Sequence, residues 1–207
     1  MEQTKLKRFT RIAFIFIFAF VLCTGAFMHA TSNSEFEENI VIENADSMRI
    51  KVNTVSTKDS IQNMIISEVN AYLQKQSPRA HKFIPKYLVQ AGLNNNIDIC
   101  FMMAQTQIET NFGTEGAGRE KSRRSLFGVA VRKYSNYEAA INDYCKILQK
   151  SYLGKGRTEK HLMTKYVTHG GARYASDPKY EAELSKTYKN IIKKTNIHSL
   201  QNEWNKI

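Results

Sequence analysis

The sequence predicts a mostly helical fold: one ordinary domain with an accessory segment at its amino terminus. The chain has 207 residues, of which 42% are hydrophobic and 24% are charged, a composition typical of a globular protein. From about residue 58 onward, apolar residues recur at steps of three and four, which is the period of an amphipathic helix. Residues 58–195 are therefore expected to form a single helical domain, large enough to bury a core.

The first two predicted helices are separated by Ser77-Pro78. The first runs from residue 58 to Gln76, with an apolar stripe formed by Ile61, Ile65, Val69 and Tyr72. Proline ends this helix, because it has no amide hydrogen to donate to the preceding turn. The stripe of the second helix consists of Ile84, Tyr87, Leu88 and Ala91. Gly92 is expected to end it, since glycine is favoured just past a helix end.

The third predicted helix follows the turn Asn94-Asn95-Asn96 and runs through Thr110. Asp98 stands where a side chain can cap or charge the helix start. The segment ICFMMA, residues 99–104, is apolar on every face. An all-apolar helix predicts a central, buried element.

Beyond residue 112, polar loops alternate with helices. Residues 113–125 form a glycine-rich loop, and LFGVAV follows. The inward face of the next helix, 136–152, consists of Tyr137, Ala140, Ile141, Tyr144, Cys145 and Leu148. After a loop at 155–158, a helix runs to about Val167 and the loop THGGARYASDP follows it. Asp177-Pro178 opens the last predicted helix, because proline is favoured in a first turn. Its inward residues are Tyr180, Leu184, Tyr188 and Ile191, and residues 196–207 are expected to be a tail.

The amino terminus has the layout of an export segment. Residues 5–11, KLKRFTR, precede the apolar run IAFIFIFAFVL and small residues around CTGA. Residues 1–30 are predicted to be a signal peptide or a membrane anchor, the anchor using residues 12–28. Residues 31–57 are predicted to be a tether, in which MRIKVN alternates like a short edge strand. An exported protein in the periplasm, cell envelope or extracellular space is expected.

The net charge of +11 favours polyanionic partners such as nucleic acid, anionic lipid or cell-wall polymers. Removing residues 1–30 takes away four basic residues and one acidic residue, so +8 remains with the rest of the chain. Nucleic acid is not expected, since no recognised motif accompanies the basic runs.

Cys100 and Cys145 are predicted to be two buried thiols, with a disulfide as the alternative. No cysteine or histidine spacing predicts a metal site, and no cofactor is expected.

Glu109 is the candidate catalytic residue. It shares a helix face with Gln105 and lies at the carboxyl end of its helix, beside Phe112. Burial and the helix dipole both disfavour its negative charge there and should raise its pKa. A carboxyl that keeps its proton near neutral pH is suited to general acid catalysis. On composition alone, an ordinary surface glutamate at a helix end is the alternative.

Four motifs in order resemble the glucosaminidase domains of glycoside hydrolase family 73, over residues 88–192. They are AQTQIETNFGT, SLFGV, YSNYEAAINDY and RYASDPKYEAEL. The resemblance implies a lysozyme-like helical fold and cleavage of peptidoglycan glycan strands at N-acetylglucosamine. It makes Glu109 the catalytic acid, places Tyr174 along the sugar and gives Phe127 a role in shaping the cleft. Gln105, Phe112 and Tyr134 are the further predicted substrate-binding residues.

The chain departs from this family pattern where a β-hairpin lobe often supplies a second carboxylate. Residues 126–134 carry no acid and leave no room for a hairpin, so Glu115 and Glu120 are the possible second carboxylates. Either a loop acid activates water, or the substrate's own 2-acetamido group assists. The second route is favoured by the missing lobe. A muramidase, a lytic transglycosylase and a non-catalytic wall-binding module stay open as alternatives.

Overall fold

The computed structural model describes residues 45–120, 124–128, 132–154, 156–164, 174–177 and 179–207. The helices, in chain order, are α1 (Ala45–Gln76), α2 (Ile84–Asn94), α3 (Ile99–Thr110), α4 (Gly116–Arg119), α5 (Tyr137–Leu148), α6 (Glu159–Leu162), α7 (Tyr180–Lys194) and α8 (Ile197–Trp204). A π-helical turn, Gln149–Leu153, continues α5. The predicted mostly helical class is confirmed, and no β-strand occurs within the residues described.

Helix α3 is the central element of the domain. It packs against α2, α7 and α8, and its residues 99–104 are fully buried, as their apolar character predicts. Around it, α1 packs on α2 and α8, and α2 packs on α5. The predicted apolar stripes of α1, α2, α5 and α7 all contribute to one continuous core. The site described below lies where α3 emerges from this core.

The start of α3 is stabilised by hydrogen bonds, some of which come from a distant part of the chain. The Asp98 side chain accepts a hydrogen bond from the Phe101 amide at 3.2 Å, so the predicted cap is confirmed. Asn96 adopts a left-handed conformation (φ 50°) in the predicted turn. Gln201 of α8 is buried and makes two hydrogen bonds here: Oε1 accepts from the Ile99 amide, and Nε2 donates to the Ile97 carbonyl, each at 2.9 Å. Helix α8 thereby covers the amino end of α3.

Several boundaries differ from the prediction. Helix α1 already begins at Ala45, so the alternation in MRIKVN does not make an edge strand. The glycine-rich loop contains the single turn α4. Residues 196–207, predicted as a tail, include α8, so α7 is not the last helix. The proposed leader and the first part of the tether, residues 1–44, lie outside the described residues and stay predictions. Among the described residues, no helix is long and apolar enough to cross a bilayer.

Both cysteines of the helical domain are buried and free, as the favoured interpretation predicted. Burial raises the pKa of the Cys145 thiol to about 12 and that of Cys100 further still. Both are therefore protonated near neutral pH and behave as small apolar side chains. Neither is suited to act as a nucleophile in this state, because the thiolate is the reactive form.

Gly92 lies inside α2 and does not end it, which corrects the prediction. A Cβ at this position would meet Cγ1 of Ile99 at 2.6 Å and the Ile97 carbonyl at 3.2 Å. The helix therefore needs glycine here for close packing against the start of α3, and it continues to Asn94. A tight contact between helices explains this glycine better than a helix end does.

Replacing Gly92 with Ala should lower the free energy of unfolding by about 1–3 kcal/mol, because the added methyl overpacks this contact. Thermal and denaturant unfolding measure the change. Gly154→Ala is the matched control, since a Cβ there meets only the Gln149 carbonyl, at an ordinary 3.7 Å. Equal stability of the two variants would contradict the packing role of Gly92.

Candidate active site

Glu109 lies in the last turn of α3, at the point where this buried helix reaches the surface. Gln105 and Thr106 are still buried, whereas Gln107, Ile108 and Glu109 are partly exposed. The carboxyl group thus stands at the rim of the core and not in open solvent. This position follows from the sequence, in which the apolar run ends one turn before Glu109.

The turn after Glu109 is held in an uncommon conformation. Asn111, Phe112 and Gly113 all have left-handed backbone angles, with φ of 47°, 55° and 80°. Such angles are rare for bulky residues, so packing must hold Phe112 in place. Its ring is fully buried, with its centroid 6.3 Å from that of Tyr72. Phe112 therefore anchors the turn from inside the core and is not among the residues that line the cavity described below, so its predicted contact with substrate stays a prediction.

Thr110 joins residues 126–128, here called the LFG segment, to the end of α3. Its hydroxyl donates to the Leu126 carbonyl at 2.8 Å and accepts from the Gly113 amide at 3.0 Å. This brings Gly128, which has a φ of 68°, directly against the carboxyl group of Glu109. A Cβ on Gly128 would lie 2.9 Å from Cδ of Glu109 and closer still to Oε2. Only glycine fits between this segment and the acid.

Glu109 lines a small, partly open cavity that several elements build together. Helix α3, the LFG segment, α5 with its π-helical turn, residues 174–175 and the start of α7 all contribute. The lining residues are Gln105, Glu109, Phe127, Gly128, Tyr144, Ile147, Leu148, Tyr152, Tyr174, Ala175 and Tyr180. The structure thus brings together Glu109, Gln105, Phe127 and Tyr174 of the residues singled out from the sequence.

Five of the eleven residues that line the cavity are aromatic, and their rings contact one another. Phe127 and Tyr144 stack face to face, with their ring centroids 3.6 Å apart. Tyr152, which the π-helical turn carries, meets Tyr174 edge-on at 4.9 Å. Flat apolar surfaces with hydroxyl groups at their edges suit the faces and hydroxyls of a sugar ring.

Two hydrogen bonds tie α3 to the carboxyl-terminal part of the domain. The Tyr180 hydroxyl donates to Oε1 of Glu109 at 2.7 Å. The Gln105 amide donates through Nε2 to the Tyr174 hydroxyl. Because Tyr180 occupies Oε1, a proton on Glu109 is expected at Oε2, the oxygen beside Gly128. The arrangement leaves one defined oxygen for proton transfer.

Burial raises the pKa of Glu109 to about 7, from an ordinary value near 4.5. The hydrogen bond from Tyr180 lowers the pKa, and the negative charge of Glu183 raises it. Glu109 is thus largely protonated below pH 7 and loses its proton as the pH rises through that value. The rise expected from the sequence is present, and its main cause is burial.

The sequence model of the family described as Glucosaminidase, Mannosyl-glycoprotein endo-beta-N-acetylglucosaminidase, matches residues 85–193, more than half of the chain. The chain belongs to the glucosaminidase family. The matched range contains all the residues that line the cavity. No significant match was found among curated proteins or among solved structures. Family membership indicates a glycoside hydrolase of the peptidoglycan-hydrolase type.

Besides Phe112, three predicted residues do not line the cavity of this glucosaminidase domain. Tyr134 is partly buried, and its hydroxyl donates to Asp143 at 2.7 Å. Glu115 is exposed and accepts a hydrogen bond from the Asn111 amide at 3.1 Å. Glu120 is exposed as well. None of the three stands beside Glu109 in the cavity wall, so a substrate or second-acid role for them has no support from this geometry.

Sequence reasoning missed Tyr144, Tyr152 and Tyr180 as site residues. Tyr144 and Tyr180 were assigned to inward stripes of α5 and α7, which is where they lie. The missed signal is chemical, since a tyrosine at an inward position needs a partner for its hydroxyl. A metal site is not expected in this glucosaminidase domain, and the described residues contain no suitable group of three His, Cys, Asp or Glu side chains.

Replacing Tyr180 with Phe should raise the pKa of Glu109 above about 7, because the lost hydroxyl donates to the ionised carboxylate and stabilises it. NMR titration of the Glu109 carboxyl carbon measures this shift. Tyr188→Phe is the matched control: it removes a hydroxyl from the same helix that donates to Asp98 at 2.6 Å instead. An unchanged Glu109 pKa in Tyr180→Phe would refute the assigned contact.

Proposed function

We propose that the chain is an endo-β-N-acetylglucosaminidase that cleaves peptidoglycan glycan strands, with Glu109 as the general acid. The supporting observation is the carboxyl group of Glu109, whose pKa of about 7 leaves a large fraction of it protonated under near-neutral conditions. It faces a cavity walled by aromatic rings, in a family of glycoside hydrolases. A positive net charge of +11 suits an anionic wall polymer.

The proposed reaction begins with proton transfer from Oε2 of Glu109 to the glycosidic oxygen. The bond between this oxygen and the anomeric carbon then breaks, while positive charge develops on the sugar. Water adds its oxygen to the anomeric carbon, and the proton it loses restores the acid. Tyr180 holds Oε1 throughout and so keeps the acidic proton on the other oxygen.

Attack by the substrate's own 2-acetamido oxygen is the proposed route to the intermediate. In that route the acetamido oxygen bonds to the anomeric carbon as the leaving group departs, and water later opens the ring so formed. The support is the position of Glu115 and Glu120, which are exposed and outside the cavity lining. One protein carboxyl group then suffices for the reaction.

Export is part of the proposal, because the substrate lies outside the cytoplasm. The basic segment 5–11 and the apolar run after it would direct the chain across the membrane. The same run, extended to residues 12–28, would serve as an anchor if it is not removed. Fractionation of cells that express the chain with or without residues 1–30 tests whether these residues direct export.

Replacing Glu109 with Gln should lower peptidoglycan hydrolysis at least ~100-fold, because the amide has no acidic proton to give. The fold should persist, since the amide oxygen of Gln can still accept from Tyr180. Release of new reducing ends and circular dichroism measure the two effects. Wild-type activity in Glu109→Gln would rule out Glu109 as the acid.

The identity of the new ends tests which bond is cut. Borohydride reduction and mass spectrometry of the digest should reveal reduced N-acetylglucosamine ends. Reduced muramic acid ends would indicate a muramidase, and anhydro ends would indicate a lytic transglycosylase. Wall binding without any new ends would indicate a non-catalytic module.

Replacing Glu115 and Glu120 together by Gln should leave the hydrolysis rate within about twofold of wild type. Both side chains are exposed and neither lines the cavity, so neither is placed to activate water beside Glu109. Initial rates on purified peptidoglycan measure the effect. A loss comparable to that of Glu109→Gln would instead support a loop acid and an inverting reaction.

A further inference from the structure

Four neighbouring aromatic side chains lie on the surface of the domain, outside the cavity. The ring centroid of Phe83 is 6.2 Å from that of Tyr87 and 5.5 Å from that of His81. The His81 centroid is in turn 5.3 Å from that of Tyr137. These four residues, here called the aromatic row, are exposed or partly exposed, and none of them lines the cavity. Single exposed apolar residues are ordinary, whereas contiguous ones mark contact surfaces.

Phe83 is the apolar centre of the aromatic row. It stands just before α2, is 45% exposed and does not belong to the hydrophobic core. Tyr87 and Tyr137, by contrast, pack against that core and hold the two ends of the row. Because a large apolar ring gains free energy when it leaves water, a partner that covers Phe83 is stabilised by doing so.

The surface around the aromatic row is positively charged. Residues 69–97 contain four basic residues and no acidic residue. Three of the four, Arg79, Lys82 and Lys86, alternate with the row along the chain and are exposed. Nζ of Lys82 lies 5.0 Å from the centroid of the Phe83 ring, and none of the three forms an ion pair with another described residue. Such a surface favours a partner that carries negative charge.

Tyr137 connects the aromatic row to the turn that follows Glu109. Its hydroxyl donates to the Gly118 carbonyl at 3.3 Å, and a Cβ on Gly113 would lie 3.5 Å from Cε1 of Tyr137. Gly113 belongs to the left-handed turn directly after α3. The aromatic row therefore reaches the end of the helix that carries the acid, although it takes no part in the cavity lining.

We propose that the aromatic row and the basic residues beside it bind a second stretch of the peptidoglycan strand, outside the cavity in which Glu109 acts. The rings pack against the apolar faces of the sugars. Lys82 and Lys86 attract the carboxylates of the peptide stems. The inference rests on the proposed function and adds a second contact with the same polymer.

Peptidoglycan is favoured over two other acidic partners. Aromatic and basic residues together also suit single-stranded nucleic acid, and basic residues with an exposed phenylalanine suit an anionic membrane. The chain belongs to the glucosaminidase family, however, and a polymer that fills the cavity is long enough to meet a surface that begins at the end of α3. A second contact with one polymer raises the effective concentration of the rest of that polymer at the cavity.

Sedimentation with purified peptidoglycan sacculi tests the aromatic row, using the full chain with Glu109→Gln so that the sacculi stay intact. Adding Phe83→Ala should weaken binding at least ~5-fold, whereas Phe83→Tyr keeps the ring and should restore it. Met64→Ala is the matched control, since Met64 is 44% exposed on α1 and should not affect binding. Equal binding by the Phe83→Ala and Met64→Ala variants would overturn the inference.

The basic residues provide a test that does not depend on the packing of Phe83. Lys82→Gln together with Lys86→Gln should weaken binding about 5-fold and reduce its dependence on salt. Lys186→Gln with Lys189→Gln removes the same charge from exposed positions on α7 and should change binding much less. An equal loss in the two double variants would show a general effect of net charge and contradict a site at the aromatic row.

Hydrolysis with Glu109 in place separates the aromatic row from the proposed function. On dilute sacculi Phe83→Ala should lower the rate, but on a soluble tetrasaccharide of peptidoglycan it should act within about twofold of wild type, because so short a ligand gains nothing from a second site. Equal losses on both substrates would overturn the inference. If wild type cleaves neither substrate, the proposed function fails, and sedimentation still decides whether the aromatic row binds the wall.

Binding to a dT oligonucleotide and to vesicles that contain phosphatidylglycerol tests the choice of partner. Sacculi should bind more tightly than either. Tighter binding of the oligonucleotide or of the vesicles, lost in Phe83→Ala, would assign the aromatic row to that partner and overturn the inference.

Discussion

The hydrogen bond from the Tyr180 hydroxyl to Oε1 of Glu109 joins the two helices on which the cavity depends. Helix α3 carries the acid and α7 carries the tyrosine, and these two helices pack together in the core. The contact stabilises the ionised carboxylate, yet burial outweighs it and keeps the pKa near 7. The balance between these two effects places the titration of Glu109 in the range that acid catalysis near neutral pH requires.

The backbone around Glu109 is as constrained as its side chain. Thr110 connects the end of α3 to Leu126, and this link sets the LFG segment beside the acid. Gly128 then approaches the carboxyl group so closely that no side chain could stand there. Phe112 holds the following turn by burying its ring in the core. Residues that follow Glu109 in the chain thus fix the position of its carboxyl group and enclose it.

The helices and the position of Glu109 at the end of α3 were predictable from the sequence, because apolar spacing marks inward faces and position 109 follows the end of an apolar run. The tyrosines of the wall were not, since an inward position looks the same whether it faces packed core or a cavity. The burial of Phe112 was not predicted, because it depends on the left-handed backbone angles after the helix. Helix α8 was missed since Gln201 looks like a surface residue, although it is buried among amide partners.

Helix α8 has a practical consequence for cutting the catalytic unit out of the chain. The family match ends at residue 193, yet the Gln201 side chain pairs with the backbone on both sides of Asp98, where the acid-bearing helix begins. A fragment trimmed to the matched range would strip that pairing and uncover Ile97 and Ile99, which are fully buried in the intact chain. The smallest piece that keeps the acid in its proper setting is therefore longer than the region of sequence likeness.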